Sequence, residues 1–273
     1  MMDGMTPLAL AIVLCRFQGA TVPPVPDPAK VLAKVNGSAI TAADLESYLW
    51  DWRSGEVLQD LISLKSVEAV AALEGVSATD AEVTARMDKE MAQFGANASA
   101  LQRLRDQGFP PSRIRLRIES EVLLEKIILK DFKPEEWVRV SSIAVVPPNQ
   151  MTLSWGSAIK KTETAYARLK NGVGWDKVSA DFGTGAMASQ WQQLEALPAG
   201  LGPVILAAAK TMPANSILPP RQVAQGVRIF RVEMWGGKVS PADLETLQTQ
   251  FINQNRDAAL AKVRSEAKVD RTP

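Results

Sequence analysis

The sequence has no histidine and one cysteine among its 273 residues. Without histidine, the chain has no imidazole for general acid–base catalysis, for activation of a serine or cysteine nucleophile, or for binding a metal. Only carboxylate, lysine, tyrosine and hydroxyl chemistry is left. The single cysteine, Cys15, excludes an intrachain disulfide and a cysteine zinc site. We therefore expect neither a metal site nor a cofactor.

The chain also lacks an excess of charge of either sign. Lys and Arg total 31 while Asp and Glu total 30, which gives a net charge of +1. A chain of this kind has no field that would draw nucleic acid or an anionic membrane to it. Hydrophobic residues make up 46% of the sequence, enough for one large domain or two smaller ones. We expect two domains and no nucleic-acid partner.

The amino end carries a short apolar run, Thr6–Cys15, followed by a proline-rich spacer. A run of about nine apolar residues is too short to span a bilayer and is typical of a secretory signal. We predict that residues 1–26 are a signal peptide and spacer that direct the protein to the periplasm or cell envelope. A frayed cytosolic tail is the alternative, because no Lys or Arg precedes the run. The sequence leaves three outcomes open for this leader: cleavage, retention, or lipidation at Cys15. Lipidation fits less well, because Leu14 occupies the position at which a lipoprotein signal has a small residue.

Residues 27–134 are predicted to form a helical domain that begins with a strand. The stretch VLAKVNGSAIT indicates a strand and an Asn-Gly turn, and Thr41 is a favourable N-cap with Asp44 as its box partner. Apolar stripes at helical spacing follow, and Pro110-Pro111 opens the last of them. We expect these helices to end at glycines. The glycines are Gly55, Gly75, Gly95 and Gly108.

The pattern changes at Trp137, and residues 135–237 are predicted to form a smaller α+β domain. Its first and last strands are VRVSSIAVV and GVRIFRVEMW, which we expect to be neighbours. Between them we expect helices at 156–171, near Trp175 and at 201–211, and a glycine-rich turn, FGTGAMASQW. The last segment, 238–273, reads as a helix followed by a strand, EAKVD. We expect the helix to return to the helical domain, so the fold class is α+β with an inserted domain.

One strand, Gln225–Val232, raises the question of a partner for an arginine. Alternation places Val227, Ile229 and Arg231 on one face and Arg228, Phe230 and Val232 on the other. An arginine among apolar neighbours needs a partner, because an unpaired buried charge is costly. For Arg228 the candidates are Glu233, Asp181 and a carbonyl of a bound polypeptide.

A family resemblance covers roughly residues 30 to 270. AKVNGSAITAADLESYL, VLQDLISLKSVEAVAALEGVSATDAEVTARM, LQRLRDQGFPPSRIRLRIESEVLLEKII and LETLQTQFINQNRDAALAKVRSEAKVD resemble the two halves of a helical chaperone domain. RVSSIAVV, AYARLKNGVGWDKVSADFG and ANSILPPRQVAQGVRIFRV resemble a parvulin domain of the PpiC type. Together they resemble the SurA/PrsA type of extracytoplasmic foldase. The resemblance implies a chaperone whose partners are unfolded or nascent secreted polypeptides, with membrane contact only if the leader is retained or lipidated.

At the parvulin site the chain departs from the family pattern. The resemblance implies histidines at Ser142 and Arg228, and both are absent. Ser189-Gln190 stand where a glycine pair precedes Trp191. Leu201 and Ile205 fall where the family has the Met and Phe of its proline pocket. The implied peptide-binding residues are Leu201, Ile205, Trp191 and Arg228, and no residue is assigned as catalytic.

Prolyl isomerisation requires a pocket that favours the twisted amide, against a barrier of ~18–20 kcal/mol. Leu201 and Ile205 either hold a proline ring or simply pack in the core. Because the polar residues beside them are exchanged, we expect isomerase activity to be weak or lost. Ser142 is expected to be a buried hydroxyl bonded to backbone, and to lie across from Arg228 on the neighbouring strand. The alternatives are an active parvulin-type peptidyl-prolyl cis-trans isomerase and a dedicated assembly scaffold for one envelope partner.

Trp50 and Trp52 flank Asp51 near a predicted helix end. Side chains so close in sequence point in different directions, so at least one of the two indoles should be partly exposed. They either cap the core or form a client-binding patch.

Overall fold

The computed structural model describes residues 24–35, 38–93, 98–149 and 151–270. The chain divides into two compact units. Unit 1 consists of the residues up to Lys130 and those from Asn255 onward, and unit 2 is Asp131–Gln254. The domain boundaries at 134/135 and 237/238 stay a prediction. Cys15, Gly95 and the predicted Asn36-Gly37 turn lie outside the described residues.

Unit 1 opens with an antiparallel pair of strands, Val31–Val35 (β1) and Ser38–Thr41 (β2). Four helices follow: Ala42–Leu73 (α1), Asp80–Gln93 (α2), Ala98–Asp106 (α3) and Pro111–Leu129 (α4). Both α1 and α2 pack against α4. The core between α2 and α4 is a cluster of buried apolar side chains. Its members are Val83, Met87, Met91, Ile118 and Val122.

Helix α1 begins at the predicted N-cap. The Thr41 hydroxyl accepts a hydrogen bond from the backbone N–H of Asp44 at 3.3 Å, and the Asp44 carboxylate accepts one from the backbone N–H of Thr41 at 2.8 Å. This reciprocal pair satisfies two N–H groups at the helix start that have no partner within the helix. The hydrogen bonds from Thr41 also lower the pKa of Asp44.

The prediction that a helix ends at Gly55 is wrong. α1 runs through Gly55 to Leu73, because packing along α4 outweighs the ~1 kcal/mol by which glycine disfavours a helix interior. Gly75 and Gly108, with φ of 68° and 83°, follow the ends of α1 and α3 as predicted. At these two positions the left-handed backbone favours glycine over any other residue.

Unit 2 is built on an antiparallel sheet with helices on both faces. Its strands are Trp137–Val145 (β3), Gly185–Gln193 (β4), Ser216–Ile217 (β5), Arg221–Val223 (β6) and Gly226–Trp235 (β7). Its helices are Thr152–Lys170 (α5), Trp175–Phe182 (α6) and Leu201–Thr211 (α7). The strand order is β4-β3-β7-β5, and β6 also pairs with β7. The first and last predicted strands, β3 and β7, are therefore neighbours, as expected.

The alternation predicted for the strand Gln225–Val232 is confirmed. Ile229 packs with Ile143 and the buried side chains of α5 and α6 on one face. Phe230 and Val232 pack with Ile205 of α7 on the other. The sheet is thus buried on both faces, and Arg228 lies on the α7 face because it is two residues from Phe230.

The glycine-rich turn predicted at 182–191 is wrong over most of its length. Residues from Gly185 onward form strand β4, which pairs with β3 from Trp137↔Gln193 to Ala144↔Gly185. Gly, Ala, Ser and Gln are weak strand formers, so the segment carries little local signal for a strand. Backbone pairing with β3 determines its conformation instead.

The last helix, Pro241–Glu266 (α8), contributes to both units. In unit 2, the Phe251 ring lies 5.1 Å from Phe132 and 6.0 Å from Trp137, centroid to centroid. In unit 1, the Arg256 guanidinium contacts both carboxylate oxygens of Glu121 at 2.6 and 2.7 Å. The fold class is α+β, as predicted.

The final strand predicted at EAKVD is wrong. Helix α8 extends to Glu266, and residues 267–270 have no regular structure. In the described ranges no strand pairs with this segment, so its backbone has no ladder to join.

Within those same ranges, no helix has the length and apolar character that crossing a bilayer requires.

Candidate functional site

Ser142 and Arg228 are brought together at the centre of the sheet of unit 2. Arg228 lies opposite Ala144, and Ser142 lies opposite Phe230, so both side chains are on the α7 face of the β3–β7 pair. The guanidinium Nη1 of Arg228 donates a hydrogen bond to the Ser142 hydroxyl at 3.2 Å. Ser142 is fully buried, as expected, but its hydroxyl bonds the Arg228 side chain where a bond to backbone was expected. The partner of Arg228 is therefore a neutral hydroxyl.

The predicted ion pair of Arg228 with Glu233 or Asp181 is wrong. The Asp181 carboxylate accepts from Arg168 at 2.8 Å. The Glu233 carboxylate accepts from Arg231 at 3.0 Å. Because Glu233 lies five residues from Arg228 on one strand, alternation places their side chains on opposite faces of the sheet.

A cavity of about 670 Å³ lies beside Arg228. Its walls come from the β6–β7 turn, the segment before α7 and the start of α5. The lining residues are Trp155, Ala196, Pro198, Ala199, Gln222, Val223, Ala224, Gln225 and Arg228. Within the described part of the chain, Arg228 is the only charged residue among them. The cavity thus combines an apolar wall, two amides and one cation.

Among the described residues, those paired at this site are a guanidinium, Arg228, and a hydroxyl, Ser142. A guanidinium stays protonated and only donates hydrogen bonds, whereas a pair of imidazoles can both donate and accept. The Ser142 hydroxyl already accepts from Arg228. The arrangement is suited to holding a hydrogen-bond acceptor.

Leu201, Ile205 and Trp191, which the family resemblance implied as peptide contacts, are buried in unit 2. Their exposed fractions are 6%, 0% and 4%. Leu201 and Ile205 pack with Val140 in the cluster between the sheet and α7. In this conformation the three side chains offer little surface to a ligand, which agrees with core packing, one of the two alternatives expected for Leu201 and Ile205. Peptide contact at these positions stays a prediction.

A polar network on the same sheet was not anticipated from the sequence. Arg139 donates to the Ser189 hydroxyl at 2.8 Å, Arg231 donates to Ser141 at 3.0 Å, and Ser189 donates to the Glu233 carboxylate. Burial opposes ionisation of Glu233, but hydrogen bonds from Ser189, Ser141 and Arg231 outweigh it, so the pKa of Glu233 is lowered. The sequence does carry a signal for this network. Polar residues lie two positions apart on each strand, at 139 and 141 on β3 and at 231 and 233 on β7.

In unit 1, the first half of α1 presents a large exposed apolar surface. Trp50 and Trp52 are 74% and 71% exposed, so both indoles are accessible, where the sequence required only one to be. Other large apolar side chains of the same half-helix are also exposed. We define the α1 surface as Leu45, Tyr48, Leu49, Trp50, Trp52 and Leu58. The second half of α1 differs, since Leu64, Val67 and Val70 are buried.

An ionic cluster attaches the middle of α1 to α4. The Arg113 guanidinium donates to Asp60 at 2.6 Å, to Glu56 at 3.0 Å and to the Gly108 carbonyl at 2.9 Å. Arg117 donates to the same Asp60 at 2.9 Å. Burial of Asp60 opposes its ionisation, but the hydrogen bonds from Arg117 and Arg113 prevail and lower the pKa of Asp60. The residues lie more than 50 positions apart, so periodicity along the chain gives no sign of this cluster.

No protein-family model matches the chain, and no curated protein matches it. Several solved structures do. PrsA from Bacillus subtilis is 18% identical, with a TM-score of 0.32 and coverage of 90% of this chain and 96% of that one. Foldase protein PrsA from Streptococcus pneumoniae is 16% identical, with a TM-score of 0.35 and coverage of 89% and 96%.

A SurA-like chaperone of Campylobacter jejuni is 12% identical, with a TM-score of 0.23 and coverage of 86% of this chain and 96% of that one. The chain is thus similar over most of its length to PrsA foldases and SurA-like chaperones of known structure.

Proposed function

We propose that the protein is an extracytoplasmic chaperone that binds unfolded segments of secreted or envelope proteins. The observation that carries this proposal is the α1 surface, on which two tryptophans and a tyrosine are more than two-thirds exposed. Large aromatic side chains are usually buried, and several exposed large apolar side chains on one helix segment point to an interaction site. The family resemblance over roughly residues 30 to 270 and the signal-like leader support a location outside the cytoplasm.

Unfolded polypeptide is the partner whose chemistry suits the α1 surface. Its apolar side chains are accessible only before folding, and burying them against indole rings is favourable at roughly 25 cal/mol per Å². Such contacts are not directional, so they do not select a particular sequence. A chaperone that serves many clients needs this kind of surface.

We further propose that prolyl isomerase activity is weak or absent. Ser142 and Arg228 hold the positions at which the resemblance implies histidines, and Arg228 is already bonded to Ser142. Leu201 and Ile205 are buried, so no accessible ring-holding pair is present at those positions. The pair of imidazoles that the resemblance implies is thus replaced by a guanidinium and a hydroxyl.

The test of chaperone function is light scattering by a chemically denatured enzyme diluted into buffer. We expect equimolar wild-type protein to suppress its aggregation and the double variant Trp50→Ser/Trp52→Ser to lose most of this effect. Leu153→Ser is the matched control, because Leu153 is also a highly exposed apolar residue but belongs to unit 2. Wild-type protein that leaves aggregation unchanged would contradict the proposal.

A protease-coupled assay on a proline-containing peptide tests the absence of isomerase activity. We expect the wild-type protein to leave the rate of cis–trans conversion near its uncatalysed value. Acceleration that Leu201→Ala or Ile205→Ala abolishes would establish the active isomerase instead. Circular dichroism of both variants is needed, since each substitution removes a buried side chain and costs about 2–5 kcal/mol.

A further inference from the structure

We propose that the cavity beside Arg228 binds a carboxylate of a polypeptide. The ligand is either an acidic side chain or a chain-terminal carboxylate, and both present the same planar pair of oxygens. Arg228 would supply the charge and the donors. Three features of unit 2 lead to this ligand.

First, Arg228 has a buried donor that nothing satisfies. Within the described residues its Nε is inaccessible to solvent and has no hydrogen-bond partner, while Nη1 donates to Ser142. Buried polar groups are nearly always hydrogen-bonded, and a buried donor left without a partner is destabilising. Nε itself is enclosed, so an acceptor in the cavity would meet the part of Arg228 that lines it, and the under-bonded cation favours an anionic acceptor.

Second, two arginines face each other at this place. Arg221 of β6 is paired in register with Arg228 of β7. Directly opposed residues in an antiparallel pair project from the same face, and like charges there repel each other. The two carboxylates that the sequence suggested as partners of Arg228 are bonded to other arginines: Asp181 to Arg168 and Glu233 to Arg231. An external anion would offset the repulsion between Arg221 and Arg228.

Third, the cavity has the size and composition for a side chain with a charged end. At about 670 Å³ it lies within the range of small-ligand sites, about 300–1,000 Å³. Trp155, Pro198 and Val223 offer apolar contact for a hydrocarbon stem, and Gln222 and Gln225 offer amides. Helix α7 begins just after the lining residue Ala199, and the start of a helix also favours negative charge.

A carboxylate suits this site better than a neutral carbonyl. Guanidinium and carboxylate form paired charge-assisted hydrogen bonds, which are about twice as strong as neutral ones. The inference extends the proposed function, because it rests on polypeptide binding and adds a preference for acidic residues in unit 2. None of the six residues that define the α1 surface in unit 1 carries a charge.

The test uses the full chain and two pairs of fluorescein-labelled unfolded peptides. One pair differs by Glu against Gln at a single internal position, and the other by a free against an amidated carboxyl end. By fluorescence anisotropy we expect the wild-type protein to bind the charged member of at least one pair about tenfold more tightly than its neutral partner. The pair that shows the preference identifies which carboxylate is bound.

The variants determine whether Arg228 is responsible. Arg228→Gln is expected to reduce the preference to about one, and Arg221→Gln, on the exposed strand β6, to reduce it about two- to threefold. Arg168→Gln removes an arginine of the same unit that is paired with Asp181, so it should leave the preference unchanged. Equal binding within both pairs by the wild-type protein, or a preference that survives Arg228→Gln, would overturn the inference.

Failure of this inference can be told apart from failure of the proposed function. Arg228→Gln should still suppress client aggregation through the α1 surface. Wild-type protein that suppresses aggregation but binds charged and neutral peptides equally would refute the carboxylate site alone. A retained preference for charged peptides without any suppression of aggregation would refute the chaperone function alone.

Discussion

Replacing Arg113 by methionine should destabilise unit 1, because the guanidinium connects α1 to α4. Its side chain is 7% exposed and that of its main partner, Asp60, is 11% exposed. The substitution leaves the Gly108 carbonyl without this donor and leaves Asp60 with Arg117. Breaking a buried ion pair costs about 3–5 kcal/mol, and the remaining Arg117 contact lowers this, so we expect about 2–3 kcal/mol.

Urea denaturation followed by far-ultraviolet circular dichroism measures this cost. The matched control is Arg115→Met on the same helix, because Arg115 pairs with Asp80, whose side chain is 88% exposed. An exposed pair contributes about 0–1 kcal/mol, so the control should cost little. The double variant Arg113→Met/Asp60→Asn should recover part of the loss, since it removes a buried carboxylate that the single variant leaves with Arg117 as its remaining partner. Equal costs for Arg113→Met and Arg115→Met would refute the reasoning.

Three further predictions concern stability. Gly55→Ala should stabilise unit 1 by about 0.5–1 kcal/mol in urea, because Gly55 is inside α1 and an added Cβ meets nothing within 4 Å. Gly236→Ala should destabilise unit 2 by about 1–3 kcal/mol, because its Cβ would lie 2.0 Å from the Pro134 carbonyl oxygen. Hydrogen bonds from Lys130 and Lys262 lower the pKa of Glu74 from 4.5 to about 2. The stabilisation by Glu74 is therefore present above about pH 4.5 and lost as the pH falls toward 2. Melting curves of wild type and Glu74→Gln should differ at about pH 6 and converge at about pH 2, and a constant difference would contradict the linkage.

Local signals in the sequence predicted the elements whose determinants are themselves local. Thr41 with Asp44 marks the start of α1, and the alternation along Gln225–Val232 assigns its residues to the correct faces. The helix end predicted at Gly55 and the turn predicted for the segment from Gly185 were wrong for the same reason. In both places weak local propensity is outweighed by packing or pairing with a distant part of the chain, to α4 in one case and to β3 in the other.

The candidate site was predicted in part. Ser142 and Arg228 are adjacent because β3 and β7 pair, and the sequence indicated this pairing. The carboxylates named as partners of Arg228 are bound elsewhere, since Arg231 takes Glu233 and Arg168 takes Asp181. A choice among several arginines depends on three-dimensional distances that spacing does not contain. The exposure of both Trp50 and Trp52 likewise depends on how little of α1 is covered by its neighbours.

The contribution of the α1 surface to client binding can be expressed as an affinity. A tryptophan buries up to about 250 Å² when fully covered, and about 70% of each indole-bearing side chain is accessible here. Covering a quarter of that area on both residues corresponds to about 2 kcal/mol, or more than a tenfold change in dissociation constant.

The most direct measurement is a titration of a permanently unfolded, fluorescently labelled client with the wild-type protein and with Trp50→Ser/Trp52→Ser. We predict that the wild type binds saturably and that the affinity of the double variant is at least about tenfold lower. The affinity of Leu153→Ser should equal that of the wild type. Equal affinities of the wild type and the double variant for the unfolded client would contradict the central claim that the α1 surface holds clients.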